Sequence, residues 1–143
     1  MKVNFYDTIE DQLVKFAVII SKHKGKWVFC KHKERDTYEV PGGHREEGES
    51  ILATAKRELY EETGALEFTI TPVCVYSVTG KNRLNETGEE TYGMLYYADI
   101  LTFDSELYSE MECIRLFEEL PTELTYPSIQ PLLIEEYRRR IDE

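Results

Sequence analysis

Glu58, Glu61 and Glu62 stand at i, i+3 and i+4 in the run Arg57-Glu58-Leu59-Tyr60-Glu61-Glu62-Thr63-Gly64-Ala65. In a helix, successive residues lie about 100° apart, so this spacing turns all three carboxylates toward one face. Like charges that close destabilise a helix, and a sequence that gathers them points to a cation between them. The donors are carboxylate oxygens without His or thiolate partners, which suits a hard ion such as Mg²⁺ or Mn²⁺ rather than Zn²⁺. A lone acidic helical run is more often a solvated surface, so the weight of this reading rests on the residues around it.

Upstream come Gly42, Gly43 and His44-Arg45-Glu46-Glu47-Gly48-Glu49, then seven residues, then Arg57. Together they fill every position of Gly-x5-Glu-x7-Arg-Glu-apolar-x-Glu-Glu-x-Gly-apolar, with Ala65 the one soft match. In this the chain resembles the signature box of the Nudix hydrolases. The resemblance implies an α+β fold, an α/β/α sandwich with a mixed sheet between helices. It also implies Mg²⁺ (or Mn²⁺) held by Glu58, Glu61 and Glu62 with the carbonyl of Gly42. Arg57 would orient glutamates by ion pairing, with Glu49 or Glu61 as its partner, while Gly43, Glu49 and Gly64 shape the box. Glycine at 42 and 43 is expected to form a tight turn and to let the chain approach a ligand closely.

Such a site suits attack of water on a phosphate anhydride, in which bound ions neutralise oxygens and lower the pKa of the water. A carboxylate then accepts the proton. Glu61 is the first candidate for that base and Glu58 the second. Some members of the family use a glutamate outside the box. Glu89, Glu90, Glu110 and Glu112 are the candidates here, although for each a solvated surface position is the commoner outcome.

The box leaves the substrate open, because the family cleaves nucleoside diphosphates linked to many moieties. Its ADP-ribose members usually carry a Pro downstream of the box, where this chain has Gly80 and Lys81. Its dinucleoside polyphosphate members often carry a Tyr slightly further on, where Asn82 and Arg83 stand. The short chain and the segment Tyr38-Glu39-Val40-Pro41-Gly42-Gly43 resemble the MutT-type group, which acts on nucleoside triphosphates. One departure is that the group can place an Asn at the start of the last helix to read an oxidised base, whereas Ile129 and Gln130 stand here. The expected reaction is cleavage of a nucleoside triphosphate to monophosphate and pyrophosphate. The alternatives are another diphosphate (nucleotide sugar, ADP-ribose, dinucleoside polyphosphate or RNA 5′ end) and a non-catalytic nucleotide-binding module. Lys31, Lys33, Arg35 and His44 are candidates to meet phosphate, and Gln130 to meet the base. Tyr38, Tyr76 and Tyr92 are candidates to stack, although a single aromatic is more often core.

These residues need a scaffold. Leu13 to Ile20 alternates and then runs apolar, and Trp27 to Cys30 follows a His23–Lys26 turn, which predicts a hairpin. Tyr38 to Val40 is a short extended piece stopped by Pro41-Gly42-Gly43. The box helix is expected from Glu49 or Ser50 to Gly64, with Leu52, Ala55 and Leu59 as its buried stripe. Leu66 to Val78, Thr91 to Phe103 and Met111 to Phe117 read as strands. A second helix, Ile129 to Ile141, is amphipathic through Leu132, Leu133, Ile134 and Tyr137.

Composition sets outer bounds. A chain of 143 residues, 41% hydrophobic, is expected to form one domain over residues 1–143 with a genuine core. No apolar run reaches membrane-spanning length, and Met1 to Asp11 lacks the layout of a secretory signal. Three widely spaced cysteines offer neither a disulfide framework nor a thiolate zinc site, so a cytoplasmic home is expected. A net charge of −11 argues against tracking along nucleic acid or an anionic membrane. It leaves room for a small nucleotide delivered as its metal complex. Many members of the family dimerise, so a homodimer stays open.

Overall fold

The computed structural model describes residues 1–81, 86–104 and 111–141, with backbone alone at 111–113. Among the sequence candidates, Asn82, Arg83, Glu110 and the side chain of Glu112 lie outside the described residues. The strands are β1 (Lys2–Tyr6), β2 (Val14–His23), β3 (Lys26–His32), β4 (Tyr38–Glu39), β5 (Gly42–His44), β6 (Ala65–Thr79), β7 (Thr91–Phe103) and β8 (Met111–Phe117). The helices are α1 (Ile51–Thr63) and α2 (Gln130–Arg140).

The sheet runs β1-β6-β7-β2-β3-β4, with β5 paired to β2 and β8 paired to β3. The β2–β7 pair is parallel and the others are antiparallel. Alternation along β2 divides the core, because successive strand residues face opposite sides. Ala17 and Ile19 pack with Ala55 and Leu59 of α1, whereas Val18 and Ile20 lie against the cluster that holds Leu133, Ile134 and Tyr137 of α2. The mixed sheet between two helices is the α/β/α sandwich expected from the sequence.

Local chemistry sets the limits of α1. The Ser50 hydroxyl accepts from Ala53 N, an N-cap contributing about 1 kcal/mol. Gly64 ends the helix in the left-handed conformation, at φ 77°, where a side chain is disfavoured.

Four sequence expectations change. Strand β1 is an addition, since its polar, acidic surroundings hide Val3 and Phe5, which pack on the α2-side cluster. Gly42 and Gly43 do not form a turn but a strand paired with Val18 and Ala17. Leu52 is 39% and Leu132 42% exposed. The buried stripe of α1 instead runs through Thr54, Ala55, Leu59 and Thr63, with Ile51 partly buried. Finally, the three glutamates of α1 do not share one environment: Glu62 is part-buried and bonded to Gly42 N, Glu58 is paired to Arg57, and the Glu61 side chain is 46% exposed.

Helix α2 is tied down at its end. Glu136 is buried and accepts from Arg140 at 2.6 Å and from Arg139, while Arg140 reaches Asp7 at 3.0 Å. Hydrogen bonding by Arg139 holds the Glu136 carboxyl at about 2, against an ordinary 4.5. A depressed carboxyl stabilises the fold above the unfolded-state value and loses that contribution as pH falls. Stability is therefore expected to fall between about pH 4.5 and 2. The loss should be smaller in Glu136→Gln, as followed by denaturant midpoints across that window.

Candidate active site

Strand β5 presents an open edge to α1. Ile19 N donates to Pro41 O at 2.9 Å and Arg45 N to Lys15 O at 2.8 Å, so residues 41, 43 and 45 bond to β2. By the alternation of an antiparallel ladder, Gly42 and His44 face away from it. Gly42 N donates to Glu62 Oε1 at 2.8 Å, and His44 O accepts from Arg57 Nη2 at 3.0 Å. The Gly42 carbonyl and the His44 N–H face that same edge.

Glycine is required on this strand for close approach. Neither Gly42 nor Gly43 has positive φ. A Cβ on Gly42 would stand 2.6 Å from Ala17 O, and one on Gly43 would stand 2.6 Å from both Glu58 oxygens. Gly43→Ala therefore displaces the Glu58 carboxylate. Misplacement of that order costs about 10²-fold in rate, so kcat/KM is expected to fall that far while a circular dichroism melt keeps its cooperativity.

Arg57 organises the carboxylates. Its Nε donates to Glu49 Oε2 at 2.6 Å, Nη2 to Glu49 Oε1 at 3.0 Å and Nη1 to Glu58 Oε1 at 2.6 Å. Glu61 is a longer partner at 3.5 Å and is 46% exposed. Hydrogen bonding by Arg57 lowers the Glu49 carboxyl to about 2. Burial raises Glu58 despite Arg57, and pushes Glu62 up to about 9, with Glu58, Glu39 and Glu61 adding to the rise.

A slot lies on the α2 side of the sheet, beside the same strand. It holds about 740 Å³ of space, part of it open to solvent. Gly42, Gly43 and His44 of β5, Ile129, and Gln130 and Leu133 of α2 are among the residues that line it. Gln130 Oε1 accepts from Val40 N at 3.0 Å, which leaves its NH₂ to donate into the slot. Apolar walls with a few polar groups are the usual make-up of a small-molecule site.

A model of the NUDIX domain matches residues 11–110, well over half of the chain. The chain belongs to the Nudix family. It is 32% identical over 126 residues to YtkD of Bacillus subtilis strain 168, a candidate 8-oxo-dGTP diphosphatase, covering 87% of this chain and 75% of that one. Among solved structures it is similar to a mutant form of the B. subtilis pyrophosphohydrolase BsRppH, with a TM-score of 0.77 and 26% identity, over 96% of this chain and 90% of that one. A MutT NUDIX hydrolase from Burkholderia pseudomallei shares the fold, with a TM-score of 0.61 and 22% identity over 85% and 95% of the two chains. This Nudix protein is a hydrolase of diphosphate-containing substrates, acting on phosphorus-containing anhydrides.

Nudix hydrolases generally use a divalent metal such as Mg²⁺. The donors of this chain fit one. They are hard carboxylate and carbonyl oxygens, and burial raises the Glu58 and Glu62 carboxyls, which a cation beside them would offset. Among the described residues no three of them converge on a single point as they stand. Glu58 is turned to Arg57 and Glu62 to Gly42.

The structure brings His44 and Gln130 to the slot, along with Gly42 and Gly43, but not Lys31 or Tyr38. The Tyr38 ring packs 5.2 Å from Phe117, and Arg35 pairs with Glu39 at 3.2 Å. Tyr92 donates to Glu90 at 2.8 Å, as do Ser77 at 2.7 Å and Tyr6 at 2.9 Å. Those hydroxyls lower the Glu90 carboxyl, which suits an anchor for β1 better than a proton acceptor. Glu89 is exposed. Sequence reasoning missed Arg45, which donates to Glu49 O at 2.8 Å, Asp11 O at 2.9 Å and Asp11 Oδ2 at 2.9 Å, and so holds the loop that carries Glu49. No spacing rule singles out an arginine whose acceptors are mostly backbone carbonyls. Among the described residues no helix is long and apolar enough to cross a membrane.

Proposed function

We propose that this Nudix hydrolase is a Mg²⁺-dependent nucleoside triphosphate pyrophosphohydrolase, releasing nucleoside monophosphate and pyrophosphate, with Mn²⁺ able to replace Mg²⁺. The observation that carries this reading is the shared strand β5. It meets Glu58 and Glu62, and its residues also line the slot. A nucleoside in the slot therefore has its phosphates beside the carboxylates. The description of YtkD as a candidate 8-oxo-dGTP diphosphatase supports the same substrate class, oxidised triphosphates included.

In this proposal Glu58, Glu61, Glu62 and the Gly42 carbonyl hold the ion. When bound, the ion supplies neutralisation of phosphate charge and a lowered pKa for water. Glu61 accepts the proton of the attacking water as the phosphoanhydride P–O bond breaks. Its exposure and its longer distance from Arg57 leave it freer than Glu58, the second choice. Arg57 and Glu49 hold the loop in register, and His44 reaches phosphate. Residues 1–143 act as one catalytic domain on a small nucleotide.

Pyrophosphate release with added Mg²⁺ tests this across ordinary and 8-oxo triphosphates, ADP-ribose, diadenosine polyphosphates, nucleotide sugars and triphosphorylated RNA. Fastest turnover of a nucleoside triphosphate is expected. Preference for any other class would replace the reading.

A further inference from the structure

One row of residues crosses the sheet beneath the slot. The register pairs Phe5 with Tyr76, Tyr76 with Gly93, Gly93 with Phe16 and Phe16 with His44. Four of these five positions carry rings, and the fifth has no side chain. A Cβ on Gly93 would stand 2.5 Å from the Tyr76 hydroxyl oxygen and 2.6 Å from Cε1. The ring thus lies across β7, in the space that any other residue at 93 would occupy. Gly93 does not have positive φ, so the need is for room alone. Beyond it the Phe16 and His44 rings sit 4.5 Å apart. Tyr76, Phe16 and His44 form an aromatic floor facing Ile129, Gln130 and Leu133.

Tyr76 is only 5% exposed, and its hydroxyl has no hydrogen-bond partner among the described residues. Ser21 Oγ is the one fully enclosed side-chain atom without a partner among them, so the Tyr76 hydroxyl is not fully enclosed, and the residue lines the slot. A buried phenol is ordinarily paired, since leaving it unpaired is unfavourable. Its apolar slot neighbours, Val18 and Val78, offer side chains that can neither donate nor accept. Burial pushes the phenol up, so it stays protonated and can donate.

We propose that Tyr76, seated over Gly93, is a specificity-determining residue whose hydroxyl donates to an acceptor on the edge of the substrate's base. The ligand is a flat heteroaromatic base lying against the ring row, with the Gln130 NH₂ as a second donor. This rests on the nucleoside triphosphate reading and adds the residue that selects the base.

The test compares wild type, Tyr76→Phe and Gly93→Ala, with thermal melts checking the fold. Calorimetry follows binding of GMP, AMP, CMP, UMP and ribose 5-phosphate with no metal added, and triphosphate turnover is measured in parallel. Wild type is expected to bind at least one nucleotide more tightly than ribose 5-phosphate. Tyr76→Phe should weaken that nucleotide about five- to tenfold, leave ribose 5-phosphate unchanged, and raise KM more than it lowers kcat. Gly93→Ala drives the ring off the floor and should lose more; if it does not fold, Tyr76→Phe decides alone. Unchanged binding in Tyr76→Phe, equal loss for ribose 5-phosphate, or no base-dependent binding by wild type would overturn the proposal. Tyr76-dependent binding without triphosphate turnover would sink the triphosphate reading and leave this inference standing. Triphosphate turnover with KM unchanged in Tyr76→Phe would do the reverse.

Discussion

Glu61→Gln is expected to lower kcat by about 10²–10⁴-fold, the usual contribution of a positioned general base, with thermal stability unchanged. The side chain is 46% exposed and its ion pair is a 3.5 Å approach of Arg57, so an isosteric amide disturbs little. Exposed substitutions of this kind usually move stability within about 0.5 kcal/mol. The amide cannot take a proton from the attacking water. Pyrophosphate release under single-turnover conditions reads the effect, and a thermal melt checks the fold. Turnover near that of wild type would remove Glu61 from the role and move it to Glu58.

Arg57→Lys should be almost as damaging, for a different reason. The arginine makes four short hydrogen bonds, two to Glu49, one to Glu58 and one to His44 O. A lysine ammonium is a point charge that cannot span a fork of that width. Losing these hydrogen bonds destabilises the fold, and the freed Glu58 loses its position over Gly43. A fall in kcat of about 10²-fold, with a lowered melting temperature, is the expected result. Lysine that restores full turnover would show that charge alone suffices at position 57.

Much of this was legible along the chain because the information is local. The i, i+3, i+4 spacing, the Ser50 cap and the Gly64 stop all act within one helix, and the structure places α1 within two residues of the expected bounds. Strand periodicity gave β6, β7 and β8 for the same reason, since each face is written in neighbouring residues. What misled was also local. Leu52 and Leu132 look like core because apolar residues usually are, yet a helix buries only the stripe that its neighbours cover. Pro41-Gly42-Gly43 looks like a turn because glycine commonly marks one, whereas here it serves close packing against Ala17 and Glu58.

The sequence by itself determined the family and the class of reaction, because those depend on residue type and short spacing. Tertiary structure alone decided how the carboxylates differ. Glu62 is pushed up to about 9 by burial, Glu58 is paired to Arg57 and the Glu61 side chain stays about half exposed, although all three sit within five residues. It also decided that residues 5, 76, 93, 16 and 44 form one row. Cross-strand register joins positions far apart in the chain, and the environment of each side chain is set by what that register lays beside it.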